Sequence, residues 1–363
     1  MTPECSISVR NPAELITVTP FVIGFHPTDS IVVIGVAGGL IAFVARHDLP
    51  PPGEELDPGR LAAVTGDQGI GTVAIIGYGE AARVTRAVER TIPALRANGL
   101  FVFEALRVTE GRWWSYLCPE PECCPPEGTR CLRPDDPIAA TAVFKGMVAL
   151  PNRKALEGRV APVDGEARAA MVVATARARV RAAELRAAGR EGHTVPRAGR
   201  LAVREAEKKT RARGALTDDE VAWLGVLLVD AVVLGYAADR FGPEPWRIDL
   251  WTAVLRRVEP GFVAGPASLL AHAAWRAGDG ALARVALDRG LREEPGHRLL
   301  GVIDGLLAAG IGPQSVEDFA PPPRPARRQS PRRSAPRTRT ESSRRRKPRK
   351  RDGQARAGER RRQ

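Results

Sequence analysis

The apolar residues of this chain change their spacing near residue 150, and that change bounds what it can fold into. Before it, short apolar runs at 31–36, 40–45, 72–77 and 101–108 are separated by turn residues, as strands of an α/β layer are. From about residue 155 the spacing becomes helical, over 166–188, 197–213, 218–239, 245–258 and 266–277. After Phe319 the only aliphatic side chain left is Ala, and no aromatic remains. Such a segment cannot bury enough apolar surface to offset its ordering entropy. The expected architecture is an α/β domain over 1–150, an all-α domain over 151–320 and a disordered Arg/Pro/Ser-rich basic tail over 321–363.

Local signals refine this reading. Asn11-Pro12-Ala13-Glu14 places an N-cap, a proline and a carboxylate where a helix start needs them. Ala37-Gly38-Gly39 joins the first two runs as a hairpin. The strand–helix–strand order over 72–108 calls for a parallel pair with a right-handed crossover. Pro93 is expected to kink or shorten the intervening helix. The stretch 221–238 is the most apolar, contains Asp230, falls short of a membrane span and reads as one buried helix. Gly278, Ala283, Leu287, Gly290 and Pro295 have the spacing of one tetratricopeptide-like helix hairpin. About three such units make a free-standing array, so this pair is expected to pack on its own domain.

Charge is as segregated as hydropathy. Of 55 Lys and Arg, 18 lie in 321–363 with only 3 acidic residues, leaving the remainder with 37 basic and 39 acidic side chains. The basic pI is therefore a property of the tail. Arg344, Arg345, Arg346, Lys347, Arg349, Lys350 and Arg351 are its densest cluster, suited to sequence-blind contact with nucleic acid or another polyanion. Without aromatic side chains the tail cannot stack on bases. The first 25 residues lack the pattern of a secretory signal, so a cytoplasmic location, reduced cysteines and no membrane partner are expected.

Four segments hold candidate chemistry. Cys118, Cys123, Cys124 and Cys131 fall within 14 residues, and the readings open are buried thiols, a metal site on Cys118, Cys123 and Cys124, or a redox or nucleophilic thiol. GFHPTDS offers His26, Asp29 and Ser30 as a catalytic set, against ordinary turn chemistry. Trp113, Trp114 and Tyr116 in RWWSY are set to alternate across a strand, as core or as the lining of a cleft. Gly77-x-Gly79-x-x-Ala82 mimics a dinucleotide fingerprint. Glu80 would repel phosphates there, which favours a tight strand-to-helix turn. No cofactor is assigned.

The strings PAEL, GFHPTDSIVVIG, HDLPPPG, RWWSYLC and CCPPEGT, with LLAHAAWRAGDGALARVALDRGLREEPGHRLL, resemble an uncharacterised actinobacterial family, domain of unknown function 4192. The resemblance spans about residues 5–315. It implies a GC-rich source and a cytoplasmic protein, but no activity. Cys131 falls outside the family pattern, which weighs against a four-cysteine site. Two functions follow: a binding or interaction protein tethered to polyanions by its tail, or an enzyme with a site where GFHPTDS, RWWSY and CCPPEG converge. A shared pocket and a thiol within hydrogen-bond reach of His26 would favour the enzyme.

Overall fold

The computed structural model describes residues 9–51, 53–131, 136–188, 194–240, 242 and 244–313, all within one compact unit. The tail, with its arginine cluster, lies outside the described residues.

The chain opens with α1 (Pro12–Ile23), capped by the Asn11 side chain and stopped at Gly24. Strands β1 (Ser30–Ala37) and β2 (Leu40–Asp48) form the expected hairpin. Its two turn residues, Gly38 and Gly39, both have positive φ, as a primed turn requires. After α2 (Pro58–Gly66), β3 (Thr72–Tyr78) lies antiparallel to β1. Helix α3 (Ala81–Ala97) crosses over to β4 (Phe101–Thr109), which is parallel to β3 as the sequence order demands. A second hairpin turns at Glu110-Gly111, again with two positive φ angles, into β5 (Arg112–Ser115). Strand β6 (Thr129–Arg130) closes a sheet of order β2-β1-β3-β4-β5-β6.

Alternation along the strands builds two cores. Ile31, Val33, Val73, Ile75 and Ala105 pack with α2 and α3 on one face. Val32, Ile34, Ala74, Ile76, Leu106 and Trp113 pack with Leu15 and Ile16 of α1 on the other. A sheet covered on both faces explains why β1 and β3 read as continuous apolar runs. Helix α3 continues through Pro93 to Ala97, so the proline does not shorten it. Burial of Val84, Val88, Thr91 and Leu95 along one stripe holds it across the missing hydrogen bond.

The remainder is helical: α4 (Pro137–Phe144), α5 (Arg153–Val160), α6 (Gly165–Ala188), α7 (Thr194–Arg211), α8 (Asp218–Leu227), α9 (Ala231–Ala238), α10 (Pro245–Arg257), α11 (Ala264–Arg276), α12 (Gly280–Glu293) and α13 (Arg298–Ala308). The single buried helix expected over 218–239 is instead two, bent by 109°. Asp230 causes the break: its carboxylate accepts from the backbone N–H groups of Val232 and Val233, so it starts a new helix. Helix α8 is sunk in the core, whereas Val229 and Val232 beyond it are exposed. Among the described residues, no single helix is long and apolar enough to cross a membrane.

The helical core includes Trp223, Trp251 and Trp275. Gly290 lets α12 approach α11 and α13, since a Cβ there would lie 2.9 Å from Ala267 and 2.6 Å from Leu300. Buried Glu207 on α7 bridges Arg240 (2.9 Å) and Arg247 (3.3 Å), and Arg247 also meets Glu244 at 2.8 Å. Phe25 bridges Leu150 in parallel, and Gln68 donates to the carbonyl of Ala309 at 3.4 Å, so the sheet layer and the helices are tied at both ends.

Candidate metal centre

The second hairpin sets up a thiol-bearing loop. Its register places Arg107 opposite Trp114, and the guanidinium sits 3.9 Å from the centre of the indole. The same ring packs against Gly128, where a Cβ would come within 2.4 Å of it, and the indole N–H donates to the carbonyl of Pro126 at 3.0 Å. Arg112 donates to the carbonyl of Gly128 at 2.7 Å. One tryptophan and one arginine thus pin the returning CCPPEG strand to β5.

At the other end of β5, Ser115 shapes the departure. Its hydroxyl donates to Glu104 (2.8 Å) and accepts from the N–H groups of Leu117 and Cys118, each at 3.1 Å. Five residues on, the carbonyl of Glu120 accepts from the N–H groups of Cys123 (3.2 Å) and Cys124 (2.8 Å), folding the chain back on itself. Three sulfurs meet as a result. Cys118 Sγ is 3.2 Å from Cys123 Sγ, which is 3.6 Å from Cys124 Sγ, and all three lie within 4.8 Å of one another. Cys131 is elsewhere, its N–H on the carbonyl of Gly111 and its side chain against the α1-side core.

The three thiols shift one another's pKa in opposite directions. The Cys123 thiol, followed by the Glu120 backbone and Cys124, lowers the pKa of Cys118. Cys123 is raised, chiefly by Cys118, and burial with its two thiol neighbours pushes Cys124 up to about 12. Burial also raises Cys131. Between Trp113 and Thr129 the sequence holds Glu120, Glu122 and Glu127 and no basic residue. A nucleophilic thiolate is normally activated by a neighbouring cation. This loop lacks one, whereas clustered thiols in an acidic segment suit a soft cation.

The other sequence candidates are not brought to this place. Ser30 is fully buried and its hydroxyl has no partner, so it is part of the core. Asp29, at φ 41°, is held by Arg83 at 2.8 Å, and Arg83 also donates to the carbonyl of Pro50 at 3.0 Å. His26 is exposed; its backbone N–H meets the carbonyl of Leu150, and among the described residues its ring bonds neither Asp29, Ser30 nor a thiol. GFHPTDS therefore ties β1 to β2 and α3, while RWWSY and CCPPEG converge three strands away at the β5–β6 edge. Among the described residues the three segments are not brought together. Trp113 belongs to the α1-side core and Tyr116 packs toward α3, its hydroxyl 2.7 Å from that of Thr85. Only Trp114 serves the loop. The Gly77–Gly79 turn carries its own anion: Glu80 caps α3, accepting from Ala82 (2.9 Å) and Arg83 (3.0 Å).

Arg107 and Gly128 carry no motif of their own, and nothing adjacent in sequence marks the Ser115–Glu104 hydrogen bond. The Glu110-Gly111 turn was the available signal, because its register alone pairs Arg107 with Trp114.

A family model described as a domain of unknown function, DUF4192, matches residues 12–314. The chain belongs to the DUF4192 family. The match spans the sheet, the thiol loop and the thirteen helices of the described residues, so in this DUF4192 protein the three clustered thiols lie inside the family region. Comparison with curated proteins and with solved structures finds no match.

Proposed function

We propose that this DUF4192 protein is a binding protein rather than an enzyme, and that the loop over 118–124 holds one soft divalent cation, zinc foremost. The observation that carries this reading is the convergence of Cys118, Cys123 and Cys124 sulfurs within 4.8 Å on a loop fixed by Trp114. Zinc takes thiolates in a tetrahedron. Three protein ligands leave a fourth position, and exposure of Cys123 opens it to water or to a partner's donor group. Binding would displace protons from the raised thiols. A reducing compartment such as the cytoplasm keeps these thiols available.

Metal analysis of the full chain purified under reducing agent tests this. About one zinc per chain is expected, retained by Cys131→Ser and lost when Cys118, Cys123 and Cys124 are all changed to Ser. Metal-free protein whose thiols all react with a thiol reagent, and which takes up no added zinc, would sink the reading.

The segregated charge supports a second, independent role, with the tail around Arg344–Arg351 contacting nucleic acid or other polyanions. Removing 321–363 is expected to abolish retention on heparin, and unchanged retention would reject it. The α11–α12 pair, with Gly290 closely apposed to Ala267, acts in this scheme as a single tetratricopeptide-like unit within the helical layer.

A further inference from the structure

Between α5 and α12, closed by the α10–α11 turn, lies a cleft of about 490 Å³. That is the size of sites that take small organic molecules. Its buried lining is apolar except at one point. Val160, Val258, Val263 and Val285 are each no more than 4% exposed, and among them sits Arg289, 8% exposed. Lys154, Arg292 and Glu293 are exposed at its mouth.

Arg289 is unusual in having no carboxylate partner among the described residues. Its Nη1 donates to the carbonyl of Val160, the last residue of α5, and so satisfies a helix end. Among the described residues its other two nitrogens have no hydrogen-bond partner, and the residue lines the cleft, which leaves one edge of the guanidinium for a ligand there. Burial lowers its pKa to about 10, with Glu293 opposing from beyond ion-pair distance, so it is charged at neutral pH. The acids nearby are already engaged: Asp288 by Arg153 at 2.9 Å, Glu157 by the same arginine at 3.2 Å. Arg168, also in the lining, is held by Glu259 at 3.6 Å, so among the described residues of the cleft Lys154, Arg289 and Arg292 are balanced by one carboxylate without an ion pair, Glu293.

A desolvated guanidinium with a free edge is matched by a planar or tetrahedral oxyanion, which accepts two parallel hydrogen bonds. The surrounding valines favour an apolar body behind that head. We infer that the α5–α12 cleft binds a small amphiphilic organic anion, its carboxylate or phosphate head on Arg289 and its apolar part against Val160, Val258, Val263 and Val285. This site is separate from the thiol loop and does not depend on it.

The probes are octanoate, octyl phosphate and the neutral control octan-1-ol, titrated into the full chain by calorimetry and protein-observed NMR. Gly158 gives the cleanest variant. It lines the cleft, and a Cβ there would meet nothing within 4 Å, so Gly158→Phe is accommodated at its start and is designed to obstruct the cleft while leaving Arg289 in the sequence. We expect saturable one-to-one binding of octanoate or octyl phosphate and none of octan-1-ol. Gly158→Phe should abolish it, and Arg289→Gln should weaken it by at least about tenfold. Because Arg289 also caps α5, Gly158→Phe decides the matter if Arg289→Gln unfolds. Anion binding that survives Gly158→Phe belongs to the cationic tail and overturns the inference. So does equal binding of octan-1-ol, or no saturable binding of either anion.

Discussion

Replacing Gly128 by Ala tests how the thiol loop is held. Gly128 has φ +76°, a left-handed conformation that costs a residue with a Cβ about 1–2 kcal/mol. The new methyl would also lie 2.4 Å from Cε2 and 2.5 Å from Cζ2 of Trp114. Relieving that overlap means moving the indole, which loosens its hydrogen bond to Pro126 and its contact with Arg107; overpacking of this kind costs about 1–3 kcal/mol. The combined expectation is a loss of about 2–5 kcal/mol. Gly39→Ala is the matched control. Its φ is +79° and its Cβ would meet no atom within 4 Å, so it carries only the backbone cost. Urea unfolding followed by tryptophan fluorescence gives both values, and metal content of the same samples reports whether the three sulfurs still meet. If Gly128→Ala costs no more than Gly39→Ala, the ring does not pin the loop and this account of the centre is wrong.

Two further outcomes concern the helical layer. Glu207→Ala leaves Arg240 and the buried Arg247 without their shared carboxylate, and breaking a buried pair costs about 3–5 kcal/mol; a loss under about 1 kcal/mol in a urea titration would refute it. Burial, with Arg276 second, holds the pKa of His272 down to about 4 from 6.5. Between these values the unfolded chain binds a proton that the folded one refuses, so this contribution to stability is complete above pH 6.5 and declines as pH falls to about 4, by up to about 3 kcal/mol. His272→Phe should flatten that part of the stability–pH curve, and an unchanged slope would show that another group sets it.

Much of the sheet was legible because its signals are local. Two glycines at 38 and 39 specify a hairpin, and an amphipathic helix between two apolar runs specifies a parallel crossover. The break between α8 and α9 was hidden by its surroundings: apolar residues on both sides of Asp230 continue one pattern, and only the carboxylate's role as a cap divides them. Cysteine spacing exposed the thiol trio but not its support, which depends on the hairpin register at Arg107 and Trp114. His26, Asp29 and Ser30 illustrate the opposite error. Neighbours in sequence suggested shared chemistry, yet Asp29 is claimed by an arginine 54 residues away and Ser30 faces the core. The cleft at Arg289 had no sequence signal, because its emptiness arises from the spacing of two helices far apart in the chain.

The capping of α3 by Glu80 has a consequence for ligand choice. In many α/β sheets that helix start is where phosphate groups settle. Here any phosphate would compete with a rival built into the chain, covalently tethered beside the amides at an effective concentration on the order of millimolar or more. The amides at the start of α3 are therefore already occupied by a carboxylate of the chain itself.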